Sequence, residues 1–537
     1  MISVDGHLVK IEFKRVQEFL FAVPRLRNMI GANVMLGEMI RCKLRQLAQD
    51  CGSCRELPQD GLQNAATISN DDPLTSCKIA DHLKDDPVAM YKLGILSRDG
   101  GHFTSVFPDK ESATQFSAAS EKTLSEKLPG LRFEIIVKRI ADHTSDENDR
   151  PVPTVSQRSL IDLPVFQVCE ESGNGPASFL GEGRPYSGHA SSTKLKAKKF
   201  RDGLTEDIVG LLRHKLPLNE LSAPQDFHDL CSKDYLAVVY ADGNQFGNRF
   251  KLWKQSQKLE DKPFLLKETI GEKFWHSCRV SMRRSLIDSL NATFKNYNGE
   301  IQPYQILMLG GDDLLLVCQA KYALRFAVEL SRCLEKQNLS DGEPLTVGVG
   351  IAIASPNYPF YALQRLAEEL GKSSKKLYAR LPSGEKTSVV DWLVCTSSWS
   401  ENPDEFRTLH FMKKYRVGDC EETLALSSRP YKILGKDINC LEGLLQKAAD
   451  LNKRGSDAES GAARSQLRFM VSQLDRGRSW SELCFKELPE NCKESLRIKN
   501  LWDESGPNKW KTVLFDLVDV SEIEHLGTNP REQGSRQ

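Results

Sequence analysis

Long apolar runs are missing from this chain. No stretch of its 537 residues approaches the ~20 consecutive apolar residues that span a bilayer, and Met1-Ile2-Ser3-Val4-Asp5-Gly6-His7 does not read as a secretory leader. The expectation is a cytoplasmic protein with no membrane partner. An excess of one charge is missing too: 73 Lys and Arg stand against 73 Asp and Glu, so the chain as a whole does not attract nucleic acid electrostatically. Paired cysteines are scarce. Of 14 cysteines, Cys51-Gly52-Ser53-Cys54 has knuckle spacing, but Cys42 and Cys77, the nearest others, form no second pair. A structural zinc needs four ligands, so none is expected. Cys318 and Cys333 lie inside apolar segments and read as buried thiols of a reducing compartment.

What is present is a composition with ample core, 40% hydrophobic at a mean hydropathy of −0.42, in a chain long enough for several domains. Its most informative stretch is Met308-Leu309-Gly310-Gly311-Asp312-Asp313-Leu314-Leu315-Leu316-Val317. Two apolar runs around a glycine turn predict a β-hairpin with both aspartates at its tip, the glycines supplying permissive backbone. Carboxylates so close repel unless a cation lies between them, and oxygen ligands favour a hard ion such as Mg²⁺ or Mn²⁺. Upstream, Tyr235-Leu236-Ala237-Val238-Val239-Tyr240-Ala241 is a predicted strand running into Asp242-Gly243-Asn244. If that strand neighbours the hairpin, Asp242 joins Asp312 and Asp313 as a catalytic metal-binding set suited to nucleotidyl transfer.

The surrounding periodicity agrees. Leu265 to Tyr297 predicts one long helix or two, Lys321 to Asn338 a helix, Leu345 to Ala354 a buried strand, and Phe360 to Leu377 a further helix. Strand, helices, hairpin, helix, strand, helix is the order of a ferredoxin-like palm, with helices on one face of an antiparallel sheet. Lys372, Lys375 and Lys376 lie on the polar side of the last helix, where cations meet a triphosphate. Backbone around Gly243, Asn244, Phe246, Gly247, Gly310 and Gly311 is expected to approach nucleotide phosphates.

Asp242-Gly243-Asn244-Gln245-Phe246-Gly247 followed by Gly310-Gly311-Asp312-Asp313 resembles the second palm domain of the large subunit of type III CRISPR effector complexes. More distantly it is similar to GGDEF diguanylate cyclases. Asn244 stands where that family more often has a second Asp, and still offers an oxygen ligand. The resemblance implies synthesis of cyclic oligoadenylates from ATP with Mg²⁺ or Mn²⁺, in antiviral signalling. It implies association with guide RNA, target RNA and smaller effector subunits. An internal repeat supports it: Gly100-Gly101-His102-Phe103 precedes Ala113 and Phe116 as Gly310-Gly311-Asp312-Asp313 precedes Ala323 and Phe326. The first palm has thus exchanged its carboxylates for His102 and Phe103, leaving one metal site per chain. Val16 to Leu20 and Arg25 to Asn33 look like that palm's opening segment.

Breakers and charge divide the chain into a degenerate first palm (1–150), a connector (151–232) in which Cys169 remains of the family's cysteine-rich insertion, a catalytic second palm (233–399), a helical domain (400–526) and a disordered tail (527–537). The fold class is therefore α+β, two ferredoxin-like palms plus a C-terminal helical domain. The basic run Lys194 to Arg201 reads as a solvated helix face. The family's HD nuclease domain is not apparent, and His228-Asp229 has no partner set for one, so no DNase activity of that type is expected. Two alternatives stand beside the synthetase: a scaffold subunit of an RNA-guided effector with little catalysis, and a free cyclic-dinucleotide cyclase, against which Leu314 and the degenerate first palm both count.

Overall fold

The computed structural model describes residues 6–54, 57, 71–99, 101–141, 179–181, 184–186, 188–231, 235–257, 263–395, 402–418, 420–454, 461–490, 493, 496, 498 and 500–526. Residues 142–178, Cys169 among them, and the tail from 527 lie outside these residues.

The first palm is a four-stranded antiparallel sheet of β1 (His7–Lys14), β2 (Ile95–Ser97), β3 (His102–Phe107) and β4 (Arg132–Arg139), in the order β2-β3-β1-β4. Alternation in β1 turns Val9, Ile11 and Phe13 inward. There they join Phe103 and Phe107 and, from helix Lys110–Lys127, Ala113 and Phe116 in one core. That helix starts where it does because the Asp109 carboxylate accepts the Ser112 N–H at 2.8 Å.

A short hairpin, β5 (Phe179–Gly181) with β6 (Arg184–Tyr186), precedes helix Gly188–Arg201. The second palm follows, built from β7 (Leu236–Gly243), β8 (Tyr304–Leu309), β9 (Asp313–Gln319), β10 (Val347–Ala354) and β11 (Val389–Cys395). Its sheet runs β14-β11-β10-β7-β9-β8, where β14 is Tyr431–Lys432. Helices Ala320–Leu334 and Phe360–Arg380 pack on it, and Phe264–Thr293 packs against Ala320–Leu334. Helix Phe360–Arg380 comes so close to β10 that a Cβ on Gly350 would lie 1.9 Å from the Ala367 carbonyl oxygen.

Within this sheet, β8-β9-β7-β10 repeats the order β2-β3-β1-β4 of the first palm. Both hairpins carry a register shift in their first strand. Each opening strand leads to its helix through a left-handed residue, Arg15 at φ 51° and Gln245 at φ 50°. Ala113, Phe116, Ala323 and Phe326 are all fully buried. The duplication expected from the glycine motifs is thus a duplication of topology.

β11 and β14 were not expected. β11 runs parallel to β10, pairing Gly348 with Val389, and β14 pairs antiparallel to β11 through Tyr431 and Val390. The palm sheet therefore reaches past residue 400. Beyond it stand helices Pro403–His410, Leu441–Arg454, Gly461–Gln473, Arg478–Lys486 and Leu514–Ile523. The helical reading of this region omitted a second four-stranded sheet, β12 (Met412–Val417), β13 (Cys420–Ala425), β16 (Lys509–Lys511) and β15 (Asp503–Gly506). Arg429 fastens the region to the palm. Its buried guanidinium lies 4.1 Å from the Trp392 ring centroid, donates to the Trp392 carbonyl at 3.0 Å and pairs with Asp516 and Asp519.

Candidate active site

The register of the second palm brings the three predicted aspartates together. Asp242, near the end of β7, sits directly opposite Asp313, the first residue of β9, and the Gly243 amide donates to the Asp312 carbonyl at 3.1 Å. Neither Gly310 nor Gly311 has a positive φ, so permissive backbone is not why they are glycine. A Cβ on Gly310 would stand 1.7 Å from Asp313 Oδ1, and one on Gly243 would stand 2.7 Å from Asp312 Oδ2. Both glycines make room for a carboxylate.

Asp312 and Asp313 are half-buried. Burial first, then the negative charge of Asp242, pushes the Asp312 carboxyl up to about 6; burial, Asp312 and Asp242 push Asp313 up to about 7. Lys375 opposes this. Its ammonium donates to Asp242 and, at 2.8 Å, to the Gly243 carbonyl. Its stem crosses Gly348, the residue paired with Asp242 on the other side of β7, where a Cβ would stand 2.6 Å from Lys375 Cγ. Lys372 and Lys376 are not brought to the carboxylates: they pair with Glu369 and Asp404, each at 2.7 Å on the surface.

Other expected nucleotide contacts are relocated. The Gly243 and Asn244 amides are engaged, the second with the Thr346 carbonyl at 2.9 Å, so neither is available to phosphate. Phe246 is buried between Phe274 and Trp275, with ring centroids 5.2 and 5.0 Å away, which makes it a core residue. Gly247 lies open, with nothing within 4 Å of a Cβ placed there. Asn244 is buried with its Oδ1 lacking a hydrogen-bond partner, an unsatisfied acceptor that lies against Gly348, 3.1 Å from where a Cβ would stand. The raised carboxyls of the turn, opposed by Asp242 across the ladder, fit a hard cation: Asp242, Asp312 and Asp313 would hold it.

The site opens on a cavity of about 490 Å³ formed by both palms. Leu20, Leu36 and Ile40 line it from the first palm, Val209 from the segment between, and Trp275 and Met308 from the second. The first palm's own turn faces in with His102, whose Nε2 lies 2.9 Å from Ser97 Oγ. Sequence reading missed Glu272, Trp275 and Arg279, which reach the cavity from helix Phe264–Thr293. The available signal was spacing: Glu272, His276, Arg279 and Arg283 fall at i, i+4, i+7 and i+11, a charged stripe along one face of a helix that is buried there.

Asp72, Asp85 and His276 converge within 4.8 Å, which Asp242, Asp312 and Asp313 do not, but guanidinium groups fill that cluster. Arg283 binds Asp72 at 3.0 and 2.6 Å and Asp85 at 2.7 Å, and Arg279 binds Asp85 at 2.9 and 3.1 Å. Burial raises the Asp85 carboxyl, yet the two arginines outweigh it and hold the group well below the carboxylate range. A further divalent charge there would be unbalanced. Cys51 and Cys54 are buried free thiols, pushed upward by burial, and neither joins two further metal-ligating side chains among the described residues. No helix among them is long and apolar enough to cross a membrane.

An acidic turn on a four-stranded antiparallel core backed by helices, with a third aspartate on the neighbouring strand, defines a palm domain. Residues 235–380 match the family model described as Cas10/Cmr2, second palm domain. That segment, which holds the acidic turn and Asp242, is thus similar to a Cas10/Cmr2 second palm. Among solved structures, the chain is similar to a Csm1-Csm4 cassette in complex with cA4, at 12% identity over 97% of this chain and 70% of that one, with a TM-score of 0.47. It is also similar to a Csm1-Csm4 cassette in complex with AMPPNP, at 12% identity over 70% of this chain and 53% of that one, TM-score 0.36. A third likeness is to a Csm1-Csm4 subcomplex in the type III-A CRISPR-Csm interference complex, at 12% identity over 97% and 70%, TM-score 0.38. The chain spans from about half to 70% of the length of these structural relatives. Comparison with curated proteins gives no match.

Proposed function

We propose that this chain is a metal-dependent nucleotidyl transferase that joins ATP into oligoadenylates, cyclic among them, as a signal in antiviral defence, and that it works beside smaller subunits of a type III CRISPR effector carrying guide and target RNA. One observation carries the reading: Asp242, Asp312 and Asp313 meet at one mouth of a cavity shared by two palms, in a segment of the Cas10/Cmr2 second-palm family.

Asp242, Asp312 and Asp313 would hold Mg²⁺ or Mn²⁺. When bound, such an ion activates an attacking hydroxyl and stabilises charge developing on the phosphoryl group. The protein supplies the rest. Lys375, whose ammonium balances Asp242, supplies a cation at the carboxylates that would offset the charge of a triphosphate. The apolar wall of Leu20, Leu36 and Ile40 receives a base and excludes water from the reacting end.

The test is incubation of the purified chain with Mg²⁺ or Mn²⁺ and each labelled nucleoside triphosphate, products resolved by mass, beside Asp312→Ala/Asp313→Ala. Adenylate oligomers or rings made by the wild type and lost in the variant are expected. Equal synthesis by both would sink the site assignment; silence from both, with co-purified RNA and small subunits, would leave a scaffold.

A further inference from the structure

We propose that Arg279 is a positioning residue which ties the acidic turn of the second palm to Asp99 and Asp85 of the first, so that the first palm sets the metal affinity of a site to which it contributes no carboxylate. The inference rests on the metal-site reading above.

The second-palm side of the link is contact with the turn itself. Cys278 Sγ donates to the Gly311 carbonyl at 3.2 Å, and the Arg279 stem runs beside the same glycine, 3.9 Å from where a Cβ would stand. From there the guanidinium reaches away from the turn. It forks onto Asp85 at 2.9 and 3.1 Å, meets Glu272 Oε1 at 2.5 Å and approaches Asp99 Oδ2 to 3.8 Å.

Asp85 and Asp99 belong to the first palm. Asp99 lies three residues before His102, at the turn that corresponds to the acidic one. It is held in turn by Arg41, at 3.2 Å, a residue 1% exposed on a π-helical turn whose Nη1 donates to the Leu83 carbonyl at 2.8 Å. π-turns inside helices recur at functional sites because they re-aim a side chain. The degenerate turn and the acidic turn thus share one arginine, and every charged member of the chain linking them is at least 85% buried. A displaced first palm would move the Arg279 stem and with it Gly311, one residue from Asp312.

A merely structural brace would change melting temperature and leave metal affinity alone. The experiment therefore measures Mn²⁺ affinity by electron paramagnetic resonance on the full chain, with thermal melts alongside. Asp99→Asn keeps size and one acceptor oxygen and removes the Asp99 charge; Arg279→Lys keeps charge and removes the fork. Asp313→Asn serves as the control that loses the site. Asp99→Asn and Arg279→Lys are each expected to weaken Mn²⁺ binding roughly tenfold, as outer-shell substitutions do, in protein that still melts cooperatively. Wild-type affinity in folded Asp99→Asn would overturn the link to the first palm. A wild type that binds no Mn²⁺ at all would overturn the metal-site reading and this inference with it, a failure distinguishable from the first.

Discussion

Asp313→Asn should stabilise the metal-free protein at alkaline pH and flatten its pH dependence. In the fold the Asp313 carboxyl is raised from 3.8 to about 7. Between those values the unfolded chain has released its proton and the folded chain has kept it, so stability falls as pH rises from about 4 to about 7 and is level above. Between pH 5.5 and pH 8 the loss assigned to Asp313 is at most ~2 kcal/mol, at about 1.36 kcal/mol per pH unit. Because the carboxylate borders a wet cavity, solvent screening brings the expected figure nearer ~1 kcal/mol. Asp312, raised to about 6 by the same burial and repulsion, titrates with it as a pair. Urea melts with chelator at both pH values measure this directly. Glu272, pushed up to about 7 by burial, moves wild type and variant alike and cancels in the comparison. A variant with the same slope as wild type, or a less stable one at pH 8, would refute the electrostatic account of the turn.

Further outcomes follow from single contacts. Lys375→Met removes the cation on Asp242 and should lower kcat by roughly 10²-fold, the usual effect of losing one stabilising donor, while raising both turn carboxyls further; a pH titration of the turn by NMR and a rate measurement check the two halves. Gly310→Ala should cost Mn²⁺ binding because its Cβ would stand 1.7 Å from Asp313 Oδ1, whereas Gly311→Ala, with only ordinary contacts at 3.9 Å, should keep it; equal behaviour of the two would refute the steric assignment. Elemental analysis of the purified chain should find no stoichiometric zinc, because Cys51 and Cys54 have no further ligand group beside them among the described residues.

The hairpin and the strand before it were legible because both signals are local. Two apolar runs and a turn motif specify β8 and β9, and one β-branched run specifies β7. Even so, the glycines were read for the wrong property: only the placed carboxylates reveal that Gly243 and Gly310 are needed for space. The three lysines show a similar limit. Spacing puts Lys372, Lys375 and Lys376 on one side of a helix, but Gly348, on a strand more than twenty residues earlier, decides which stem can pass to Asp242. β14 has two residues and takes its partner from across the Arg429 corner, and β16 has three. Strands that short carry no periodicity to read.

The charged stripe of the long helix shows what the local view leaves out. Glu272, His276, Arg279 and Arg283 were visible as a periodic set, yet a stripe of charges on a helix ordinarily faces water. Here it faces acids that lie 194 to 211 positions away in sequence, such as Asp85 and Asp72. Removing one partner of such a buried network typically costs about 3–5 kcal/mol, so each palm holds the other's charges in place. The active cavity lies between the same two palms and includes Arg279 in its wall. A first palm whose turn carries His102 and Phe103 in place of an aspartate pair thus still serves geometry: it lines one side of the cavity and, through Asp85, Asp99 and one arginine, braces the turn on the other.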